Sequence, residues 1–397
     1  MTLSSTKSNE VDLIIIGAGA AGLSLLLALD EANYVGKVMV LERQQGPQND
    51  RIWSFWYAAD QQGDRLPEYI KAILTHKWQS WSLSVDGNEY FMRDTFFQYC
   101  SLRSESLSAL ALDRISAKEN FQIRFNCEVA EITAEGSSAI VNTPEESLVA
   151  NQVVDTRPPA LQSQHEGLIQ CFYGEEIICE TDIFEPSTVK LMQQLNHSDL
   201  GIEFVYILPF STKHALVEFT CFSLSPVAAS VLKTRLAAVL HELVEHTSYT
   251  VKRSESAALP MYVVNQNRQR QKSHVIYGGI AGGAMRASTG YSFISSQKWA
   301  KQSAYDLVKT NILSVNAPIP AIYQMMDQLM LSVLRDDMKI GVRMFTQLFK
   351  TVPPPRFVRF MSERATFVDF MYIILAMPKY PFVRALYRRI RAKSQSE

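Results

Sequence analysis

The chain has no Cys-x-x-Cys pair, and its five cysteines (Cys100, Cys127, Cys171, Cys179 and Cys221) stand apart and are odd in number. That spacing argues against a zinc knuckle, a thioredoxin-type motif and a disulfide framework. Residues 241–246 (HELVEH) hold two histidines five positions apart. On a helix they are roughly 140° apart and do not share a face, so no metal site is expected. Neither charge sign is in excess: 39 Lys+Arg face 40 Asp+Glu, a net charge of −1, and no basic field marks a nucleic-acid partner. No uninterrupted apolar run approaches the ~18 residues of a membrane span. Residues 1–10 are polar and do not read as a secretory signal, so a cytoplasmic location is expected. Neither an internal repeat nor a low-complexity segment is visible. With 47% hydrophobic and 20% charged residues over 397 positions, the chain reads as folded, with one large domain or two of ordinary size.

Residues 11–17 (VDLIIIG) form a short, Ile-rich run that suits a strand buried on both faces. It leads directly into Gly17-Ala18-Gly19-Ala20-Ala21-Gly22, followed by a helix-compatible stretch and a second apolar strand ending in Glu42. This is the dinucleotide fingerprint in its full context. Gly17 permits the tight turn, Gly19 lets the backbone approach a pyrophosphate, and Gly22 lets helix and strand pack closely. The helix N-terminus presents unpaired N–H groups to phosphate. A carboxylate at Glu42 suits ribose hydroxyls and repels a 2′-phosphate, so FAD or NAD fits better than NADP. Gly17, Gly19, Ala21, Gly22 and Glu42 are the expected cofactor contacts. Residues 121–133 (FQIRFNCEVAEIT), which include Val129, would lie beside the adenine, and the strand ending in Asp155 would close the nucleotide domain near a flavin. Both favour FAD.

Residues 51–57 (RIWSFWY) place four aromatic rings in five positions after a cation. They read either as a loop packed over a core or as the wall of an apolar pocket formed by Trp53, Phe55 and Trp56, with Arg51 near flavin or phosphate. Aromatic faces also stabilise cations. Residues 204–210 and 215–222 read as two strands joined by a turn at Ser211-Thr212-Lys213. On the second, Leu216, Glu218, Thr220 and Phe222 share one face, and Val217, Phe219 and Cys221 the other. Glu218 is then a carboxyl group within a strand apolar on both sides. It is either a protonated acid whose pKa burial raises, or a carboxylate paired with an Arg or placed at an edge.

Further on, a short strand precedes a second glycine-rich loop over residues 279–290, with Gly282, Gly283, Thr289 and Gly290 as expected cofactor contacts and Tyr291 at the substrate pocket. A helix opened at Thr289-Gly290 would point its N-terminus at a flavin ring. No Asp occurs between Gly278 and Gly290, where many flavoproteins carry Gly-Asp. Helical patterning follows, Met-rich over residues 325–349, and is broken at Pro353-Pro354-Pro355. Residues 367–377 are apolar apart from Asp369 and precede a basic tail, a pattern that fits an interfacial helix or an ordinary helix packed on the core.

The motif series resembles the lycopene β-cyclases of bacteria and plants. The resemblance rests on Arg51-x-Trp53-Ser54-Phe55-Trp56, Val154-Asp155-Thr156-Arg157, residues 172–186 (FYGEEIICETDIFEP), residues 203–220 (EFVYILPFSTKHALVEFT), Ala258-Leu259-Pro260 and residues 282–293 (GGAMRASTGYSF), in that order across most of the chain. It implies a redox-neutral conversion of the ψ end groups of lycopene to β-ionone rings, giving β-carotene via γ-carotene. It also implies dependence on reduced FAD with NAD(P)H as electron source, and Glu218 as the essential acid. Relatives often carry a second acid directly after this Glu, where this chain has Phe219, which puts a two-carboxylate mechanism in doubt. The expected fold is α/β, with a glutathione-reductase-type FAD domain over 1–160 and 270–310. An antiparallel substrate domain over 161–269 and a helical region over 311–397 complete it. Expected partners are an acyclic carotenoid and, peripherally, a membrane surface. The rival activities are a flavin monooxygenase acting on an isoprenoid-like substrate and a non-catalytic carotenoid carrier.

Overall fold

The Ile-rich run becomes the central strand, Glu10–Ile16, of a seven-stranded sheet. The computed structural model describes residues 10–58, 66–136, 138–159, 167–264, 274–313 and 318–394. Strands Phe121–Arg124, Val38–Leu41, Glu10–Ile16 and Ser147–Asp155 lie side by side and parallel. The first half of Ser147–Asp155 pairs antiparallel with Ser138–Asn142, and its last residues pair in parallel with Val275–Tyr277. Leu13 and Ile15 pack beneath the helix Ala20–Glu31, whereas Ile14 and Ile16 pack on the opposite face with Val141, Leu148 and Val153. Burial on both faces is why this strand is a continuous apolar run rather than an alternating one. The helix is itself enclosed, between Ser104–Ile115 and Phe293–Thr310, so its leucines are buried all round.

A second seven-stranded sheet runs in the order Tyr249–Met261, Leu168–Cys179, His214–Ser223, Gly201–Pro209, Thr188–Ser198, Ser80–Val85, Asn88–Arg93. Every pairing in it is antiparallel except that of Thr188–Ser198 with Ser80–Val85. Val217, Phe219 and Cys221 face the helix Ala229–Leu243 through Leu232, Leu236 and Leu240. Leu216 and Phe222 face the other way, towards a small third sheet (Ile52–Ala58, Phe97–Arg103, His76–Trp78) and helices Lys339–Thr351 and Pro354–Met361.

One expected boundary is corrected. Residues 1–160 do not belong wholly to the nucleotide domain, because Ser80–Val85 and Asn88–Arg93 complete the second sheet. Trp81, Leu83 and Met92 are buried there in its core, and the register Trp81↔Val189 fixes the junction. The other expected boundaries near 160 and 269 lie outside the described residues. Pro354 starts a helix rather than only ending one, since a proline in the first turn loses no hydrogen bond. Among the described residues no helix is long and apolar enough to cross a membrane.

Candidate active site

The glycine turn is packed tightly below and open above. Gly17 has φ +96°, a conformation that favours glycine. A Cβ on Gly22 would lie 1.9 Å from the Gly17 carbonyl oxygen, whereas a Cβ on Gly19 would meet nothing within 4 Å. That open face sits at the N-terminus of the helix Ala20–Glu31, the geometry a pyrophosphate requires. Glu42 reaches the turn: Oε2 accepts from Ala18 N–H at 2.7 Å and Oε1 from Gln44 N–H at 2.9 Å. Thr156, which sequence reasoning did not assign to the cofactor, donates to the Ile16 carbonyl at 2.7 Å and locks the turn from beneath. Asp155 is buried and accepts from the Arg157 guanidinium, and Arg157 also donates to the Val129 carbonyl at 2.9 Å. These two expected contacts are therefore joined through one arginine.

The second glycine loop meets the first. A Cβ on Gly279 would lie 2.7 Å from that of Ala21, and one on Gly282 would lie 2.4 Å from the Tyr277 carbonyl. Gly283 and Gly290 have φ +84° and +77°. The helix that follows starts at Phe293, later than expected. Thr289 and Gly290 instead form a turn in which both N–H groups donate to the Arg286 carbonyl, at 3.2 and 2.9 Å. Gln170 Oε1 lies 2.5 Å from the Cβ position of Gly290, and it and Thr289 Oγ1 are buried without a hydrogen-bond partner among the described residues. Buried polar atoms are normally satisfied, so an acceptor and a hydroxyl left open beside a glycine turn suit a polar ring edge such as that of a flavin.

The aromatic segment is a strand, and its alternation divides the three rings that sequence reasoning grouped into one wall. Trp53 and Phe55 stack on Phe293, at 5.7 and 4.9 Å, in the core beneath the fingerprint helix. Trp56 points to the other side, into a cluster with Trp81, Tyr99, Tyr291 and Phe357. As pocket candidates, Trp53 and Phe55 are therefore replaced by Tyr99 and Tyr206. The Tyr99 hydroxyl bonds those of Tyr206 and Tyr291 at 2.9 and 3.0 Å. Burial first, and then neighbouring phenols, push all three hydroxyls well above the usual tyrosine range, so they are neutral.

Glu218 lies next to this chain of phenols. The register aligns Tyr206, Glu218, Gly174 and Glu255 in one row across four neighbouring strands. Directly opposed residues share a face, so Glu218 and Glu255 project to the same side over Gly174. Glu255 Oε2 accepts from Arg253 Nη1 at 2.7 Å and from Ile52 N–H at 3.2 Å. Burial, then the charge of Glu255 and a hydrogen bond to it, push Glu218 well above the carboxylate range; Arg253 and Arg51 oppose this and lose. Arg51 thus acts on the buried carboxyl. Its guanidinium also donates to its neighbour's carbonyl, from Nη1 to Asp50 O at 3.0 Å. Behind Arg253, Glu176 accepts from Arg253, from both ends of the Arg103 fork and from His214. Burial alone would raise Glu176, but these partners hold it well below the usual range. Sequence reasoning missed Gly174, Arg253 and Glu255. Phe219 faces the helix Ala229–Leu243, on the far side of the sheet from Glu218.

The family profile described as "Lycopene cyclase protein" matches residues 12–387. A lycopene beta-cyclase of Paracoccus sp. (strain N81106 / MBIC 01143) is 25% identical over 287 residues, 71% of this chain and 70% of that protein. One from Pantoea ananas is 22% identical over 392 residues, 94% of this chain and 97% of that one. Among solved structures, a flavin-dependent brominase superposes with a TM-score of 0.64 at 13% identity, covering 96% of this chain and 100% of that chain. A geranylgeranyl bacteriochlorophyll reductase-like protein from Thermoplasma acidophilum gives 0.58 at 12% identity, covering 96% and 99%. The fold is that of the Rossmann-type flavoproteins.

Proposed function

Because the chain belongs to the lycopene cyclase family, we propose that this carotenoid cyclase closes the ψ end groups of lycopene into β-ionone rings by acid–base chemistry at Glu218. The observation that carries the reading is a buried carboxyl group, raised above the usual carboxylate range by burial and then by Glu255, next to a chain of phenol rings. Glu218 gives its proton to C2 of the end group, leaving the positive charge on C1. The C5–C6 double bond closes onto C1, and the charge moves to C5. Loss of the C6 proton to the Glu218 carboxylate forms the ring double bond and restores the acid, so no proton or electron is consumed. Trp56, Tyr99, Tyr206 and Tyr291 keep water away and turn ring faces and neutral hydroxyls towards the charge, which they stabilise without capturing it. Bound FAD, reduced by NAD(P)H, would add an electron-rich ring beside the cation. Gly17, Gly19, Ala21, Gly22, Glu42, Val129 and Asp155 would hold its nucleotide half, and Gln170, Gly282, Gly283, Thr289 and Gly290 its ring.

The test is anaerobic incubation of the full chain with FAD, a reductant and lycopene in liposomes, followed by chromatography and mass analysis. The expected product has the mass of lycopene and a shorter chromophore, and Glu218→Gln lowers its rate by about 10²–10⁴-fold while FAD stays bound. A product heavier by one oxygen in air would make the protein a monooxygenase, and unchanged pigment would make it a carrier.

The substrate dissolves in lipid, and the C-terminal helices Phe367–Ala376 and Lys379–Ser394 leave apolar side chains uncovered. Phe367 is 79% exposed, Leu375 65%, Tyr380 78% and Ile390 61%, with Arg384, Arg388 and Arg391 along the last helix. This pairing of rings, aliphatics and arginines suits peripheral contact with an anionic membrane surface. Flotation with anionic vesicles should carry the protein, and Leu375→Glu with Ile390→Glu should leave most of it behind. Equal flotation of both would remove these helices from the contact.

A further inference from the structure

We propose that Glu255 is the second carboxylate of the site: it shares one proton with Glu218 across Gly174 and fixes that proton on Glu218, ready for donation. The inference deepens the cyclase reading above and rests on it for the proton's destination, but not for the pair itself.

One strand lies between those of Glu218 and Glu255, and two inter-strand spacings place their Cα atoms roughly 10 Å apart. Two glutamates on alternate strands ordinarily have a side chain standing between them. Here that place is Gly174, aligned with Glu218 on one side and Glu255 on the other. A Cβ at 174 would lie 2.5 Å from Glu218 Cγ and 3.1 Å from Glu218 Oε1, so the Glu218 side chain leans across the gap the glycine leaves. Gly174 has no positive φ to account for it and no turn to make. Its smallness serves the space above it.

Hydrogen-bond bookkeeping places the proton. Two carboxyl groups bond each other only if one of them carries a hydrogen. Glu255 Oε2 already accepts from the Arg253 guanidinium and from the Ile52 amide, so it is engaged as an acceptor. Of the groups facing Glu218, Glu255 and Arg253 stand on the strand beyond that of Gly174, Tyr206 on the adjacent strand of the other side, Arg51 just before the aromatic strand, and Tyr99 above, bonded to Tyr291. The phenols are neutral, and Arg51 and Arg253 carry positive charge. Among the described residues Glu255 is therefore the carboxylate that accepts the Glu218 proton. Arg253 is in turn held by Glu176, which Arg103 and His214 grip from the far side. The network keeps Glu255 in place. When Glu218 protonates C2, the charge left on the two glutamates lies beside the carbocation and attracts it. The same negative charge then draws the C6 proton back to Glu218.

Glu255 is thus a positioning residue, and infrared difference spectroscopy of the FAD-loaded protein tests it without any turnover. The carbonyl band of a protonated carboxyl should persist in the parent well above the pH at which exposed carboxyls ionise, and Glu218→Gln should remove it. In Glu255→Gln, a near-isosteric change, the midpoint of that band should move towards acid by a pH unit or more, a tenfold or larger loss of proton affinity. Gly174→Ala, which interposes a methyl, should move it the same way. The alkaline limb of the cyclisation rate should shift with it. A band whose midpoint is the same in the parent and in Glu255→Gln overturns the pair, whatever the activity. A band that shifts in a protein that leaves lycopene unchanged upholds the pair and overturns the cyclase reading.

Discussion

Two buried charge clusters are built on opposite terms. In one, Arg286 is completely buried and donates to both oxygens of Asp327 at 2.9 and 2.8 Å and to the Phe360 carbonyl at 3.2 Å. Ser288 adds a third bond to Asp327 at 2.7 Å, and the rings of Tyr323 and Phe360 stand 4.9 and 5.2 Å from the guanidinium. Charge, shape and hydrogen bonds all close. In the other, burial and Glu255 push Glu218 well above the carboxylate range, and Arg253 Nη2 is buried without a partner among the described residues. The first cluster ties the second glycine loop to the C-terminal helices, and among the described residues none of its buried side-chain nitrogens and oxygens is without a partner. The second retains unsatisfied capacity, which only a substrate, a cofactor or a moving proton would use. A buried ion pair is a strut when its bookkeeping closes, and a site when it does not.

The strut should be the costlier to break. Asp327→Asn keeps the shape and removes the charge that accepts from Arg286 at both oxygens, and should cost about 3–5 kcal/mol in urea unfolding. Arg286→Met combined with Asp327→Leu should recover most of that loss, because a well-packed apolar pair replaces a closed ion pair at little cost. A loss below about 1 kcal/mol for Asp327→Asn would mean that the guanidinium finds water or another acceptor, and the contrast between the clusters would fail.

How each cluster was hidden from the sequence also differs. The fingerprint was legible because all its requirements sit on consecutive residues: a strand, three glycines, a helix and Glu42. Glu218 was legible because a period of two puts it on a defined face of a strand with apolar neighbours, and the same rule sent Phe219 to the opposite face, where it lies. In residues 51–57 four rings in five positions mask the period of two, so Trp53 and Phe55 group with Trp56 in the sequence although the strand separates them. Glu255 was not legible. Its strand carries a mixed polar pattern, its partner lies two strands away, and the link between them is a missing side chain at Gly174. Arg286 was not legible either, because its partner Asp327 lies 41 residues further on, in a separate helix. Local chemistry is written along the chain, whereas pairings across strands depend on register, and register is not.

The smallest effect sharpens the comparison most, because its sign is opposite. The folded chain holds a proton on Glu218 that the unfolded chain releases above a pH of about 4.3. Over that interval the folded state binds more protons than the unfolded one, so this residue makes stability fall as pH rises, until Glu218 itself ionises in the folded protein. Glutamine carries no such proton, and its amide can still donate to Glu255. Glu218→Gln should therefore unfold at a higher temperature than the parent at pH 7 to 8, by about 1 kcal/mol, with the gap closing as the pH approaches 4. Thermal scans of the two proteins across that range measure it. A gap that does not change with pH would show that the gain comes from packing and not from the proton, and Glu218 would then belong with the struts.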